Sequence, residues 1–467
     1  MRGRPGRRRR SGPRRTGCAG MSEHDEELRA ELRHELRHRV RPLTAIVAPG
    51  EERRATPLEL LYDLTYVIAF GAAAEELAAA VAGGHVGAGV GAYLFAIFAV
   101  GWAWLNFTWY TSAYGNDDAL FRVATFVQMV GALILVFGLP QSFEDAVEGH
   151  SPNNLLLVVG YLVMRVPLIA LWLRAAAHDP DHRRTTCAYA ITITVAQLGW
   201  LLTAVIPMPT TAAVVALVLL VAAEMTARVV IENVLGWTPW DAGHIAERFG
   251  LLTLITLGEI VFATTRTVGV LTQDQGWSLG AVVIATSGLV LAAGLWWAYF
   301  LVPSRVLLRL WPARVFAWRY THLLLFAAIP AVGSGLRVAA DGLEGGELTL
   351  MQITLALALP VACVLLLIFV LWSVLVRSYD LTHVPLLLVS LVPLAAAVVV
   401  AAAVGQDVPF DSESASALSA LIAIVALVAC SVVVEVVGHE IVGYPHTLRV
   451  VERQLHEQAA AGAPTAA

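Results

Sequence analysis

The chain has 467 residues, of which 58% are hydrophobic and only 14% charged, against roughly 45–50% and about 25% in an ordinary soluble domain. That balance excludes a soluble globular protein and predicts one embedded in a membrane. The formal net charge of -5 conceals an asymmetry, because all 31 basic residues are arginine; they gather at the N-terminus and in alternate loops, which excludes a nucleic-acid binder spread over the chain.

Residues 1–20 read MRGRPGRRRRSGPRRTGCAG, too poor in apolar side chains and too rich in like charge to collapse. They are expected to be disordered, with no apolar h-region behind them to make a cleavable signal, and Met21 could equally be the working start. Residues 21–56 form a cytoplasmic segment with one short solvated helix to about Val40, begun by Ser22 with acids first and arginines later.

After Pro57 come twelve apolar stretches, each long enough to cross about 30 Å of hydrocarbon as a helix. They are Leu60–Ala80, Ala88–Tyr110, Leu120–Pro140, Leu155–Ala176, Thr186–Ile206, Thr211–Ile231, Phe249–Val268, Leu279–Leu301, Val315–Val338, Met351–Val376, Val384–Val404 and Ala417–Val437. The expected fold is all-α, a polytopic integral membrane bundle of about twelve helices. Arginine near span ends tends to stay cytoplasmic. One set of loops holds Arg122, Arg174, Arg183, Arg184, Arg228, Arg248, Arg305, Arg309, Arg314, Arg319, Arg377, Arg449 and Arg453. The other holds little besides Arg266 and Arg337 and the acidic runs FEDAVE (143–148), DGLEGGE (341–347) and DVPFDSE (407–413). The cell's inner, cytoplasmic membrane, with both termini inside, satisfies this pattern.

The halves resemble one another. Glu59-Leu-Leu-Tyr-Asp-Leu opens the first span and Glu247-Arg-Phe-Gly-Leu-Leu the seventh. Gly101-Trp-Ala-Trp-Leu-Asn-Phe107 is echoed by Gly294-Leu-Trp-Trp-Ala-Tyr-Phe300, and Arg122 and Arg319 begin the third span of each half. The spacing predicts two parallel six-helix repeats, 57–235 and 236–445, followed by a cytoplasmic tail, 446–467.

A charged group in hydrocarbon costs about 2.5–3.5 kcal/mol on insertion scales, so each needs a partner, a wet cavity or a function. Glu59 and Asp63 share one face of the first helix; they either raise one another's pKa, as a proton site requires, or face water or an arginine. Glu224, Arg228 and Glu232 make an acid-base-acid ladder at four-residue spacing, which suits structural glue or part of an ion path. Glu247 and Arg248 start the seventh span, and Glu259 lies about 18 Å deeper, beside Gly258 and near Thr253, Thr256, Thr264 and Thr265. Arg165, in the middle of the fourth span, calls for an acid such as Glu259 or Asp63. His322 is a proton relay or a hydrogen-bonded core histidine. Asp117 and Asp118 near Arg122 either gate a path or start a helix. Glu435 and His439 share a face of the last span. His178-Asp-Pro-Asp-His182 reads first as a solvated turn. No zincin, P-loop, C-x-x-C or nucleophile-elbow motif occurs, and Cys18, Cys187, Cys363 and Cys430 are too scattered for a metal site or disulfide framework. The expected protein is not an enzyme and calls for no cofactor or metal.

Taken in order, several blocks resemble the bacterial low temperature requirement A family. Pro57-Leu-Glu-Leu-Leu-Tyr-Asp-Leu-Thr-Tyr-Val-Ile-Ala-Phe70 is similar to its opening E-L-F-x-D-L-x-F-V signature. Further similar blocks are Asn116 to Arg122 with Gln128-Met129, Gly160 to Arg165 with Leu171 to Arg174, and His244 to Leu251 with Leu257-Gly-Glu259. The resemblance spans roughly Arg54 to Arg453. Two positions depart from it: Ile260 stands where the family has serine after Gly-Glu, and Leu301 where an aspartate is common. The family implies an integral membrane protein associated with growth in the cold and picks out Glu59, Asp63, Asp118, Arg122, Arg165, Glu247, Arg248 and Glu259. It supplies no substrate. The expected function is a secondary transporter or permease for a small solute, proton or cation. The alternatives are a cation channel, or a non-transporting factor in membrane stress and cold adaptation.

Overall fold

The computed structural model describes residues 28–29, 43, 53–345, 347–376, 383–405 and 409–460. The expected N-terminal tail and most of the short N-terminal helix lie outside them. Eleven helices among the described residues are long and apolar enough to span a membrane, and a twelfth span is interrupted by a turn.

The first half runs through α1 (Pro57–Ala82), α2 (Val86–Tyr114), α3 (Ala119–Phe137), the short α4 (Leu139–Glu148), α5 (Leu155–His178), α6 (Arg183–Val205) and α7 (Thr210–Leu235). The second runs through α8 (Ala242–Thr256), α9 (Gly258–Gln275), α10 (Leu279–Phe300), the short α11 (Ser304–Leu310), α12 (Val315–Leu343), α13 (Leu350–Val376), α14 (His383–Val404), α15 (Ala415–Gly438) and α16 (Tyr444–Ala460). α1 starts where Thr56 and Glu59 form a reciprocal capping box with Pro57 at the first position. Asp118 caps α3 through the Phe121 amide, 2.9 Å away; Asp241, Ser278 and Ser414 cap α8, α10 and α15.

Much of the order of neighbours is shared by the two halves, although α10 also packs on α15 and α2 has no such contact with α7. α1 packs on α2 and α3, α3 on α5, α5 on α6 and α6 on α7; likewise α9 packs on α10 and α12, α12 on α13, α13 on α14 and α14 on α15. α1 against α12 joins the halves. α12 is the central post: 89% of its most apolar window is buried, so little of it is left to face lipid.

Lipid tails are as apolar as leucine, so these helices hold together by close packing and polar contacts. At the α3–α5 crossing a Cβ on Gly131 would lie 2.7 Å from the Gly160 carbonyl oxygen, and one on Gly160 would lie 2.5 Å from the Leu135 amide nitrogen. Backbone meets backbone there. Gly160→Val is expected to cost about 1–3 kcal/mol or more by overpacking, read as a lowered thermal midpoint of the detergent-solubilised protein. An unchanged midpoint would show that α3 and α5 separate without loss.

Three expectations about the elements are corrected. The seventh span, expected as one helix over 249–268, is interrupted at Leu257, where the regular ladder tightens to a single turn between α8 and α9, the Ile260 amide bonding the Leu257 carbonyl at 3.1 Å. Gly258 is a poor helix former, and Thr253 and Thr256 turn their hydroxyls onto the Phe249 and Thr253 carbonyls at 2.9 Å, a contact that bends helices. The third span stops at Phe137 because Gly138 lies against α5, where a Cβ would come 2.8 Å from the Leu157 amide. FEDAVE is therefore helical, within α4, and not a loop. The expected tail from residue 446 continues the last span through one π-helical turn, His439–Gly443, into α16.

Candidate ion-pathway site

The capping box that starts α1 leaves Glu59 facing inward, with Asp63 one turn deeper; both are fully buried. Arg248 of α8 meets them. Its Nε and Nη2 donate to the two oxygens of Asp63 at 3.1 and 2.6 Å, and its Nη1 lies 3.1 Å from Glu59 Oε1. Trp104 Nε1 adds a 2.6 Å bond to Asp63. His244 Nε2 stands 3.1 Å from the same Glu59 oxygen. A carboxylate only accepts, so that nitrogen carries the proton, while Nδ1 is buried without a hydrogen-bond partner. Arg53 completes the cluster, with Nη2 3.4 Å from Glu59. The two carboxylates are thus bridged by a guanidinium from the other half of the chain, one of the two readings the spacing left open.

Arg165 finds neither Glu259 nor Asp63. Its partner is Glu224 of α7, at 3.3 Å, which also accepts from Trp102 Nε1 at 2.6 Å, from Trp200 Nε1, and from Tyr161 at 3.4 Å. The expected ladder on α7 does not pair with itself. Glu232 binds Arg319 of α12 at 3.1 and 3.3 Å and accepts from Tyr189 at 2.6 Å, while Arg228 donates to Asn106. Arg174, Arg228, Arg248, Arg314 and Arg319 were expected in cytoplasmic loops or span ends; all five are buried.

Glu259 sits one residue past Gly258, 2.8 Å from Arg337 Nη2, with 12% of its side chain exposed. A Cβ on Gly71 of α1 would lie 2.5 Å from Glu259 Oε1, so the carboxylate rests directly on the backbone of the first helix and any larger residue there would push it aside. Arg337 also donates to the Gly71 carbonyl at 3.3 Å. Arg319 and Arg337 are 18 residues apart on α12, about 27 Å, so the two pairs lie near opposite ends of the post.

The remaining sequence candidates are not drawn into these clusters. Asp118 pairs with Arg174 and Arg122 with Asp117 at 2.8 Å. Glu247 is exposed and accepts from the Ala55 amide at 3.1 Å. His322 has both nitrogens engaged, Nδ1 with the Trp318 carbonyl at 2.8 Å and Nε2 with Tyr299 at 2.9 Å, the arrangement of a core histidine. Asp179 of the HDPDH turn binds His182 and Tyr114 at 2.8 Å. Glu435 is buried with Oε2 unpartnered. No group of three or more histidine, cysteine, aspartate or glutamate residues that could hold a metal is present among the described residues.

Sequence reasoning missed Arg319 and Arg337 as intramembrane groups, although both fall inside the stretch 315–338 marked as a span. It also missed His244 and Trp104, which carry no signal by themselves, since only the fold brings them to Glu59 and Asp63.

Between Asp63 and Gly71 on α1, about 12 Å by helical rise, stands an aromatic layer. Phe249 lies 4.9 Å from Trp104 and 6.0 Å from Phe326, and Phe70 lies 6.2 Å from Phe326, measured between ring centres. Two carboxylate clusters, each clamped by arginine, therefore face one another across a greasy partition between the halves. Such a device can hold a proton or small cation on either side, provided an arginine lets go.

These features define a polytopic integral membrane protein with most of its buried charges paired inside the bundle. The family described as bacterial low temperature requirement A protein (LtrA) matches residues 54–437, and the chain belongs to it. It is 26% identical over 263 residues to an uncharacterized protein of Rhizobium meliloti (strain 1021), covering 54% of this chain and 59% of that one. The chain thus spans about six tenths of the length of this curated relative. No solved structure matches.

Proposed function

We propose that the protein is a secondary carrier, not an enzyme, in which a proton or small cation passes between the two halves by way of Glu259 and the Glu59/Asp63 pair. The observation that carries this reading is the turn at Leu257, which interrupts a membrane span beside a largely buried carboxylate. Interrupted helices form ion sites in secondary transporters; here the interruption is one tight turn, in which the Leu257 amide still bonds the Thr253 carbonyl and the Ile260 amide bonds the Leu257 carbonyl, each at 3.1 Å. Arg248 and Arg337 occupy the acids in turn, so a proton or cation binds only when a guanidinium withdraws, and that exchange couples binding to movement of one half against the other. The largely shared neighbour order of the halves supports two parallel six-helix repeats. The arginine-rich loops support both termini lying in the cytoplasm, with the bundle in the cytoplasmic membrane.

The test is proton and monovalent-cation flux into proteoliposomes under an imposed gradient. Wild-type protein is expected to carry flux, and Glu259→Gln, which keeps the shape and a hydrogen bond to Arg337, to fall to the level of protein-free vesicles. Full flux in a well-inserted Glu259→Gln protein removes Glu259 from the path. Single-channel currents would make the protein a channel. Absence of flux in folded wild-type protein would leave the ion pairs as struts of a structural factor in cold growth.

A further inference from the structure

The first half of the bundle contains a polar centre that the proposed cation path does not use. Between α2, α6 and α7 lies a narrow cavity lined by Trp102, Asn106, Tyr189, Thr192, Glu224 and Arg228, with room for about one water-sized occupant. Arg228 is buried in its wall. One of its Nη groups donates to Asn106, its guanidinium stands 4.2 Å from the Tyr189 ring centre, and Nη1 has no hydrogen-bond partner.

Neither neighbouring acid is hydrogen-bonded to it. Glu224, one turn before it, is taken by Arg165 and the indoles of Trp102 and Trp200. Glu232, one turn after it, is taken by Arg319 and Tyr189. Three arginines stand against two glutamates, so the group carries one positive charge in excess, and Arg228, which feels Glu232 only through space, keeps a free N–H. A buried guanidinium with a free N–H is stabilised by an anion far more than by a neutral group.

We propose that the Arg228 cavity binds a single small monovalent anion of the halide type. One uncompensated charge selects a monovalent ion, and space for one water-sized body excludes phosphate, sulfate and carboxylic acids with a chain. The site is independent of the carrier reading and stands whether or not cations move through the other half.

Equilibrium dialysis of radiolabelled chloride against purified full-length protein, exchanged into gluconate, tests it. The expected result is one saturable chloride per chain, displaced by bromide and not by further gluconate, with affinity at least tenfold weaker in Arg228→Gln. In parallel, chloride is expected to raise the thermal midpoint of the wild type over gluconate at equal ionic strength, and to leave that of Arg228→Gln unmoved. No saturable chloride on the wild type overturns the proposal, and so does equal binding by wild type and variant. Should that variant fail to fold, Thr192→Leu, which fills the cavity wall without touching the charge, is expected to abolish the saturable chloride, and undiminished binding by it overturns the proposal.

Discussion

Asp63→Ala is expected to destabilise the protein by about 3–5 kcal/mol, and Asp63→Leu combined with Arg248→Met to recover most of that loss. Arg248 is fully buried and spends two of its donors on Asp63. Without the carboxylate it keeps one contact, to Glu59, and Trp104 Nε1 loses its acceptor. A buried charge stripped of its partner costs more than the intact pair contributes, whereas an apolar pair of similar volume meets no such cost. Chemical or thermal unfolding in micelles, followed by tryptophan emission, measures both. A loss below about 1 kcal/mol would mean that Glu59 takes over the whole guanidinium. A double variant no better than the single one would mean that the pair contributes net stability.

Glu224→Leu is the second large effect, again about 3–5 kcal/mol. Its carboxylate gathers Arg165, both indoles and Tyr161, so one substitution leaves a charge and three neutral donors buried without an acceptor. Glu224→Gln is expected to fall between, since one carbonyl oxygen remains for the indoles while its amide group faces donors. Adding Arg165→Met to Glu224→Leu should restore stability, and its failure to do so would show that the indole bonds, not the ion pair, dominate. The emission of Trp102 and Trp200 should shift in every variant lacking the carboxylate.

The spans were readable because hydrophobic length answers to one physical demand, the thickness of hydrocarbon. That demand is blind to continuity: the run 249–268 satisfies it while the helix is interrupted at Leu257, for reasons carried by one glycine and back-bonding threonines. Glu259 was legible as an isolated acid, and Glu59 with Asp63 as a shared face. Their partners were not, because helical spacing fixes which residues stand on one side of a helix but not which helix comes to meet it. Arg165 illustrates this. Its need for an acid followed from burial, but Glu224 became its partner through the packing of α5, α6 and α7, and on α7 the ladder suggested by four-residue spacing gave way to partners on other helices. Arg319 and Arg337 were hidden by the habit of counting arginine as a loop residue, which the largely enclosed α12 overrules.

The ion pairs that join the halves, Asp63 with Arg248 and Glu232 with Arg319, also give the bundle an unusual thermometer. Hydration of charged groups carries a strongly negative entropy, so the cost of stripping water from a carboxylate and a guanidinium rises on cooling. An interface closed by such pairs loosens as temperature falls, while the glycine-mediated α3–α5 contact, built from van der Waals packing, does not. Cooling therefore acts unevenly on this molecule: it weakens the contacts closed by buried ion pairs, the seam between the halves and the Arg165–Glu224 contact inside the first half alike, and spares those closed by glycine packing.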